Sequence, residues 1–557
     1  MRITLKNNSC NNETNRFLRI PLILAVCAAL LAGCANDDEP APEPTPVSLS
    51  MVKIGGFDGG VLGASEITAF DPASKRLFVV NGANGTVDVL DIGNPAAPAK
   101  VGTISVASLG ASVNSVAVND GLVALAVEAT RKTDPGVVAF YNAADLRLLQ
   151  TVTVGALPDM VTFTPDGRFL IVANEGEPNS YGLADSVDPE GSVSVITLNR
   201  NGSAIAATVA TADFRAYNGQ EDALRAQGIR IFGPGANAAK DFEPEYVAVS
   251  ADSRTAYVTL QENNAIAIVD IATARVTSVQ PLGFKDHNLA GMGLDASDED
   301  GGTNTNTGTP AIKIAPQPVK GMYLPDAIAT FVIGNTPYLI TANEGDARAD
   351  WPGFNEETRV RAHCTAGLDP TVFPDAANLI LDSNLGRLRI TATPNGGKTG
   401  KNAAGQCNEL YSFGARSFSI WNTDVQRVFD SGDDIEQRTK ALSQAAFNTS
   451  HDSDALDARS ASKGPEPEGV VTAKFGNKTF AFIGLERVGG VMAYDISAPT
   501  APVFVTYLNT RNGLTGDRGP EGLTFIAADK SPNGKPLLVV GNEVSGTTAI
   551  YQINLTF

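Results

Sequence analysis

The sequence predicts an all-β fold: a seven-bladed β-propeller closed by an N-terminal strand, with three loop insertions. Three observations carry this expectation. One grammar recurs along the chain, each copy offers three or four short β-rich runs, and the last copy lacks its final run while an unclaimed one stands near the N-terminus. The clearest copies begin LPDMVTFTPDGRFLIVANEGEPN at 157, EPEYVAVSADSRTAYVTL at 243, LPDAIATFVIGNTPYLITANEGD at 324, EPEGVVTAKFGNKTFAFIGLERVGG at 466 and GPEGLTFIAADKSPNGKPLLVVGNEV at 519. Two weaker copies precede them, SEITAFDPASKRLFVVNGANGTVDVLDI at 65–92 and SVNSVAVNDGLVALAVEATRKTDPGVVAFYNA at 112–143.

From the N-terminus, the apolar run IPLILAVCAALL (20–31) is too short to span a bilayer and follows Arg16 and Arg19. It ends in Leu31-Ala32-Gly33-Cys34, which resembles a bacterial lipobox. Residues 1–33 are therefore expected to be a lipoprotein signal peptide, with Cys34 carrying the lipid. Residues 34–50 read as an acidic, Pro-rich tether, and Ala35 after the Cys matches default sorting to the outer membrane. The propeller is expected over 51–557, with MVKIGGF (51–57) completing the last blade and removing a sheet edge. Within each copy a turn such as Pro165-Asp166-Gly167 joins the first two runs, and fourth runs such as AKVGTISV and LRLLQTVTV follow. Insertions are expected at about 199–240, 286–320 and 349–412. The third holds Cys364 and Cys407, an even pair in an oxidising compartment, read as a disulfide.

With 42 Lys and Arg against 61 Asp and Glu the net charge is −19, which excludes readings built on nucleic-acid backbones, because those need a basic face. The repeat shows where part of that charge goes. Directly after a Pro, just before the first strand, stand Asp159, Glu245, Asp326, Glu468 and Glu521. At the end of the second strand stand Glu175, Glu262, Glu344, Glu486 and Glu543. The start of one strand and the end of its antiparallel neighbour share one end of a blade, so these acids are expected to crowd the mouth of the channel. Crowded carboxylates must protonate or find a cation. They suit a hard divalent ion with six to eight oxygen ligands, Ca²⁺ first. Asn174, Asn343 and Asn542, each preceding one of the second-strand acids, are candidates to add oxygens or fix the carboxylates. Arg348 and Arg487 are candidates to pair with acids or to hold substrate oxygens.

Other motifs say less. LDASDEDGG (294–302), with Asp295, Asp298 and Asp300, resembles part of a calcium loop but lacks the distal Glu, and reads equally as a solvated polar loop. The run from His451 to Asp457 reads as surface. There is no HExxH among the three His and no G-x-S-x-G elbow, which excludes zincin and nucleophile-elbow chemistry.

On ANEGEPNSYG (173–182), FEPEYVAVS (242–250), LGFKDHN (282–288), GMYLPDAIA (321–329), ITANEGDAR (340–348), SFGARSFSIWN (412–422), KGPEPEGV (463–470) and GPEGL (519–523), the chain resembles the choice-of-anchor I family. That resemblance implies a bacterial secreted or surface protein with a propeller-like body; some relatives are joined to nucleotidase-like or phosphatase-like domains. Two functions follow as expectations for a lipid-anchored protein of the cell envelope. One is a metal-dependent phosphoester hydrolase acting on a phosphorylated small molecule, with a metal-bound water as nucleophile. The other is a non-catalytic, Ca²⁺-stabilised module presenting its loops to a surface polysaccharide or protein.

Overall fold

The computed structural model describes residues 44–201, 204–301, 309–393 and 399–557. The expected signal peptide, Cys34 and the start of the tether lie outside the described residues. No helix among them is long and apolar enough to cross a membrane.

The fold is all-β, with few and short helices. Among the described residues seven antiparallel four-stranded sheets follow one another, each opened by one of seven first strands. Those first strands are Thr68–Asp71, Ser112–Asn119, Pro158–Phe163, Pro244–Val249, Ile328–Ile333, Pro467–Phe475 and Pro520–Ile526. Each packs against the first strand of the next sheet, and Pro520–Ile526 packs back against Thr68–Asp71. In the seventh sheet Thr547–Thr556 pairs along its length with Ser48–Asp58.

Position in a sheet explains the sequence pattern. Second strands such as Phe169–Asn174 and Arg76–Asn81 are covered on both faces by neighbouring sheets, so they are runs of apolar residues rather than alternations. Outer strands such as Ala99–Ser105 are mostly exposed and mix polar residues with small and apolar ones. Gly167 takes φ 66° in the turn between the first two strands of the third sheet, where a side chain would be strained.

The insertions differ from expectation in one respect. Residues 199–213 do not leave the third sheet: Ser192–Asn201 and Ala204–Asp213 pair as its last two strands. The excursion is therefore 214–243, with the short helices Glu221–Gln227 and Ala238–Asp241. The other two insertions form one body. Phe284–Asp286, Lys320–Met322, Tyr411–Ser412, Arg389–Thr391 and Glu357–Arg359 make a five-stranded sheet over a core that includes Leu294, Val319, Val360, Phe373, Leu388 and Leu410.

Cys364 and Cys407, both buried in that core, form the expected disulfide. The bond closes a loop of 43 residues, for which restriction of the unfolded chain is worth about 4 kcal/mol. Replacing both Cys by Ser is expected to lower unfolding free energy by roughly that amount, read from urea midpoints without reductant.

Candidate functional site

The Pro-acid motif builds the same local structure repeatedly. In the third, fourth, sixth and seventh sheets the pairing register slips by one residue just after it, between Pro158 and Val161, Pro244 and Val247, Pro467 and Val470, and Pro520 and Leu523. Such a bulge re-aims the side chain it carries, here the acid. The residue before the Pro is left-handed at Leu157 (φ 47°), Leu324 (φ 41°), Glu466 (φ 52°) and Gly519 (φ 69°). Only one of these is Gly, so the surrounding structure holds a strained backbone at the other three. The carbonyls of Leu157, Glu466 and Gly519 accept the backbone N–H of Glu175, Glu486 and Glu543, at 2.9, 2.9 and 2.8 Å. The two acid positions of a copy are thereby tied together at one end of its sheet.

Between the first strands lies a cavity of about 290 Å³, with Asp159, Asp326, Glu521, Asn114 and Tyr246 in its lining. Two acids that the sequence reading passed over join the set. Glu66 occupies the first-strand position of the first copy and Glu128 ends the second strand of the second copy. The copy position was the available signal, but Ser65 and Val127 precede them in place of Pro and Asn. The second copy has Asn114 at its first-strand position, donating to the Pro158 carbonyl at 3.1 Å.

No ion pair within 4 Å reaches the side chains of Glu66, Asp159, Glu175, Glu245, Asp326, Glu468 or Glu521 among the described residues. Burial, then mutual repulsion, pushes their carboxyls up. Glu66 rises to about 8, with Glu543 and Asp159 adding to burial. Asp159 rises to about 7, with Glu177 adding. Glu175, Glu245, Asp326, Glu468 and Glu521 are held well above the usual carboxylate range, again by burial first and then by neighbouring carboxylates such as Glu177 for Glu175 and Glu486 for Glu468. Glu262 rises to about 8 through burial, although Arg348 opposes it. One oxygen each of Glu245, Glu468 and Glu521 is buried without a hydrogen-bond partner.

Beside this set lies a compensated cluster. Carboxylate oxygens of Glu344, Glu466 and Glu486 lie within 4.8 Å of one another, a spacing that fits a metal ion. Lys463 is already there: its ammonium is 2.8 Å from Glu344, 3.1 Å from Glu466 and 3.3 Å from Asp346. Burial pushes Glu466 up, but Lys463, Arg459 and Arg487 together hold it far below the usual range. Neither Lys463 nor Glu466 is among the ligands expected from sequence.

The two candidate substrate arginines are engaged elsewhere. Arg348 is 2% exposed; its Nη1 donates to Asp241 at 2.8 Å, Nη2 to the Asp241 carbonyl at 2.7 Å, and Nε to Glu243 at 3.0 Å. Its guanidinium also lies over the Phe232 ring at 4.5 Å. Arg487 pairs through Nε with Glu466 and Glu486, each at 3.0 Å, and through Nη1 with His451. Asn174 and Asn343 turn back into their own sheets, bonding Ser192 and Ser194, and Ser417 and Ser419. Asn542 bonds the Thr547 carbonyl. The Asn174 and Asn343 oxygens accept the Gly155 N–H at 3.1 Å and the Thr341 hydroxyl at 2.9 Å, so these side chains fix strand ends.

Compared with known proteins, the chain is 29% identical over 191 residues to Gigasin-3a of Magallana gigas, covering 31% of this chain and 66% of that protein. It is 25% identical over 351 residues to the mesenchyme-specific cell surface glycoprotein of Strongylocentrotus purpuratus, covering 55% of this chain and 43% of that one. It thus spans less than two thirds of the length of each. Among solved structures it is similar to Kuenenia stuttgartiensis hydrazine synthase (11% identity, TM-score 0.43, 89% of this chain and 98% of that one). It is also similar to the WD40 domain of Toxoplasma gondii coronin (10% identity, TM-score 0.43, 93% of this chain and 89% of that one). The model of the choice-of-anchor I domain matches residues 66–499, and the chain belongs to that family.

Proposed function

We propose that the protein is a cell-surface seven-bladed β-propeller, closed by its N-terminal strand and held to the outer membrane through a lipid on Cys34. Its acidic channel face binds divalent cations, Ca²⁺ first, and it serves as a non-catalytic module whose insertions meet a polysaccharide or protein at the surface. The cyclic packing of the first strands and the pairing of Ser48–Asp58 with Thr547–Thr556 support the closed ring. Family membership, and the cell-surface name of the sea-urchin relative, support the location.

One observation carries the cation reading: Glu245, Glu468 and Glu521 each bury an oxygen with no partner, at equivalent positions of three sheets. An orphaned buried carboxylate oxygen is costly, and a cation held beside it removes that cost. The donors are oxygens only, which selects hard cations. Engagement of Arg348 and Arg487 by buried acids favours the non-catalytic module over phosphoester hydrolysis.

The test is calorimetric Ca²⁺ titration of the chelator-treated chain, wild type against Glu468→Gln/Glu521→Gln. The double variant is expected to lose at least about 100-fold in affinity at the channel, the upper end of what outer-shell losses cause. Equal binding by the two proteins refutes the channel site. Metal-dependent hydrolysis of a phosphomonoester or phosphodiester, abolished in the double variant, would replace the module with a hydrolase.

A further inference from the structure

A second acid cluster stands apart from the channel set, where two loops meet. Carboxylate oxygens of Asp295, Asp300 and Asp457 lie within 4.8 Å of one another. Asp295 and Asp300 belong to the insertion after the fourth sheet; Asp457 comes from the segment between the fifth and sixth sheets, which the sequence suggested was surface. Asp295 and Asp457 are both 0% exposed.

Two positive groups nearby, Arg416 and Arg387, are committed to other partners, and Lys313 acts on Asp300 only through space, making no ion pair within 4 Å among the described residues. Arg416 uses Nη1 on the Asp295 carbonyl and on Glu436, and Nη2 on the carbonyls of Ser460 and Ser462. Arg387 pairs with Asp298 and Glu299. What reaches the three side chains is neutral. The backbone N–H of Lys313 donates to Asp295 Oδ2, that of Ala311 to Asp300 Oδ1, and the Ser460 hydroxyl to Asp457 Oδ1. The other oxygen of Asp457 is buried with no partner, and so is Oδ1 of Asn448, whose amide shares Ser460 with Asp457. Burial, then Asp295, pushes the Asp457 carboxyl up to about 8, and burial, then Glu436, pushes Asp295 up to about 7. A fold does not gain by converging three carboxylates, two of them fully buried, unless something bridges them.

We infer that Asp295, Asp300 and Asp457 form a second hard-cation site, taking Ca²⁺, which clamps the 286–320 insertion to the segment leading into the sixth sheet. The donors are all oxygens, from carboxylates on separate loops, which suits the flexible six-to-eight coordination of Ca²⁺ better than the rigid octahedron of Mg²⁺. At the millimolar Ca²⁺ found outside cells, even a weak site of this kind is filled. None of its residues belongs to the channel set, so the two sites can fail separately.

The experiment is Ca²⁺ titration and melting of the chelator-treated full chain, its Asp457→Asn variant, and the Glu468→Gln/Glu521→Gln variant. Asn tolerates the φ of 70° at position 457, so the substitution keeps the backbone. Asp457→Asn is expected to bind one Ca²⁺ fewer than wild type, while the channel variant retains this ion. In chelator Asp457→Asn is expected to melt at or above wild type, having lost a buried carboxyl that faces two others, and to gain less on adding Ca²⁺. Asp300→Asn, at a half-buried position, should reproduce the loss if Asp457→Asn folds poorly. Unchanged stoichiometry in both variants overturns the site. So does lower melting in chelator with an undiminished response to Ca²⁺, the mark of a purely structural Asp.

Discussion

Replacing Arg348 by Met is expected to destabilise the folded chain by about 3–5 kcal/mol, read from urea unfolding. The reason is what it leaves behind. Asp241 and Glu243 are 1% and 2% exposed, and Arg348 is the ion-pair partner of both. Removing one side of a buried pair strands the other, which is why the cost exceeds that of most single substitutions. Arg348→Lys should recover little, since one ammonium cannot reproduce the fork that bonds Asp241 and Glu243 together while lying over Phe232. An arginine reserved for a substrate behaves in the opposite way: its removal spares stability, usually within about 0.5 kcal/mol, and weakens binding. A Met variant as stable as wild type would return Arg348 to the list of ligand-binding residues.

Arg348 also shows how far a single sequence reaches. Its place two residues after the Asn-Glu-Gly-Asp stretch of the fifth copy was legible, because the repeat fixes where second strands end. Its partners were not, since Asp241 and Glu243 lie more than a hundred residues earlier, Asp241 in an insertion with no repeat to align it. The same holds for Lys463, which meets Glu344 across 119 residues. Glu66 and Glu128 were within reach, because copies one and two preserve the positions while changing the flanking residues. The strand Ala204–Asp213 was hidden for another reason. It is an outer strand, largely exposed and rich in Ala and Thr, so it carries little of the apolar signal that marks the buried second strands. Sequence periodicity therefore located the acids, whereas only packing separated those that already own a cation from those that do not.

That separation sets the pH response. Without divalent metal the chain is expected to lose thermal stability steadily between about pH 4.5 and 8, and Ca²⁺ should remove most of that loss. Glu66, Asp159 and Glu262 are raised from ordinary values of 4.5, 3.8 and 4.5 to about 8, 7 and 8. Groups raised on folding stabilise below their unfolded pKa, and that contribution disappears as pH climbs through the folded one. The slope is about 1.4 kcal/mol per pH unit for each proton the folded state retains in excess. Glu466 has the opposite sign: held low by Lys463, Arg459 and Arg487, it loses its contribution only in stronger acid and cannot mask the trend above pH 5. Binding Ca²⁺ near pH 7 must then expel the protons those carboxyls hold, so the binding heat should vary with the ionisation enthalpy of the buffer. Metal-free stability that instead rose from pH 5 to 8 would mean the acids are already satisfied by cationic side chains. The channel would then have no need of an ion.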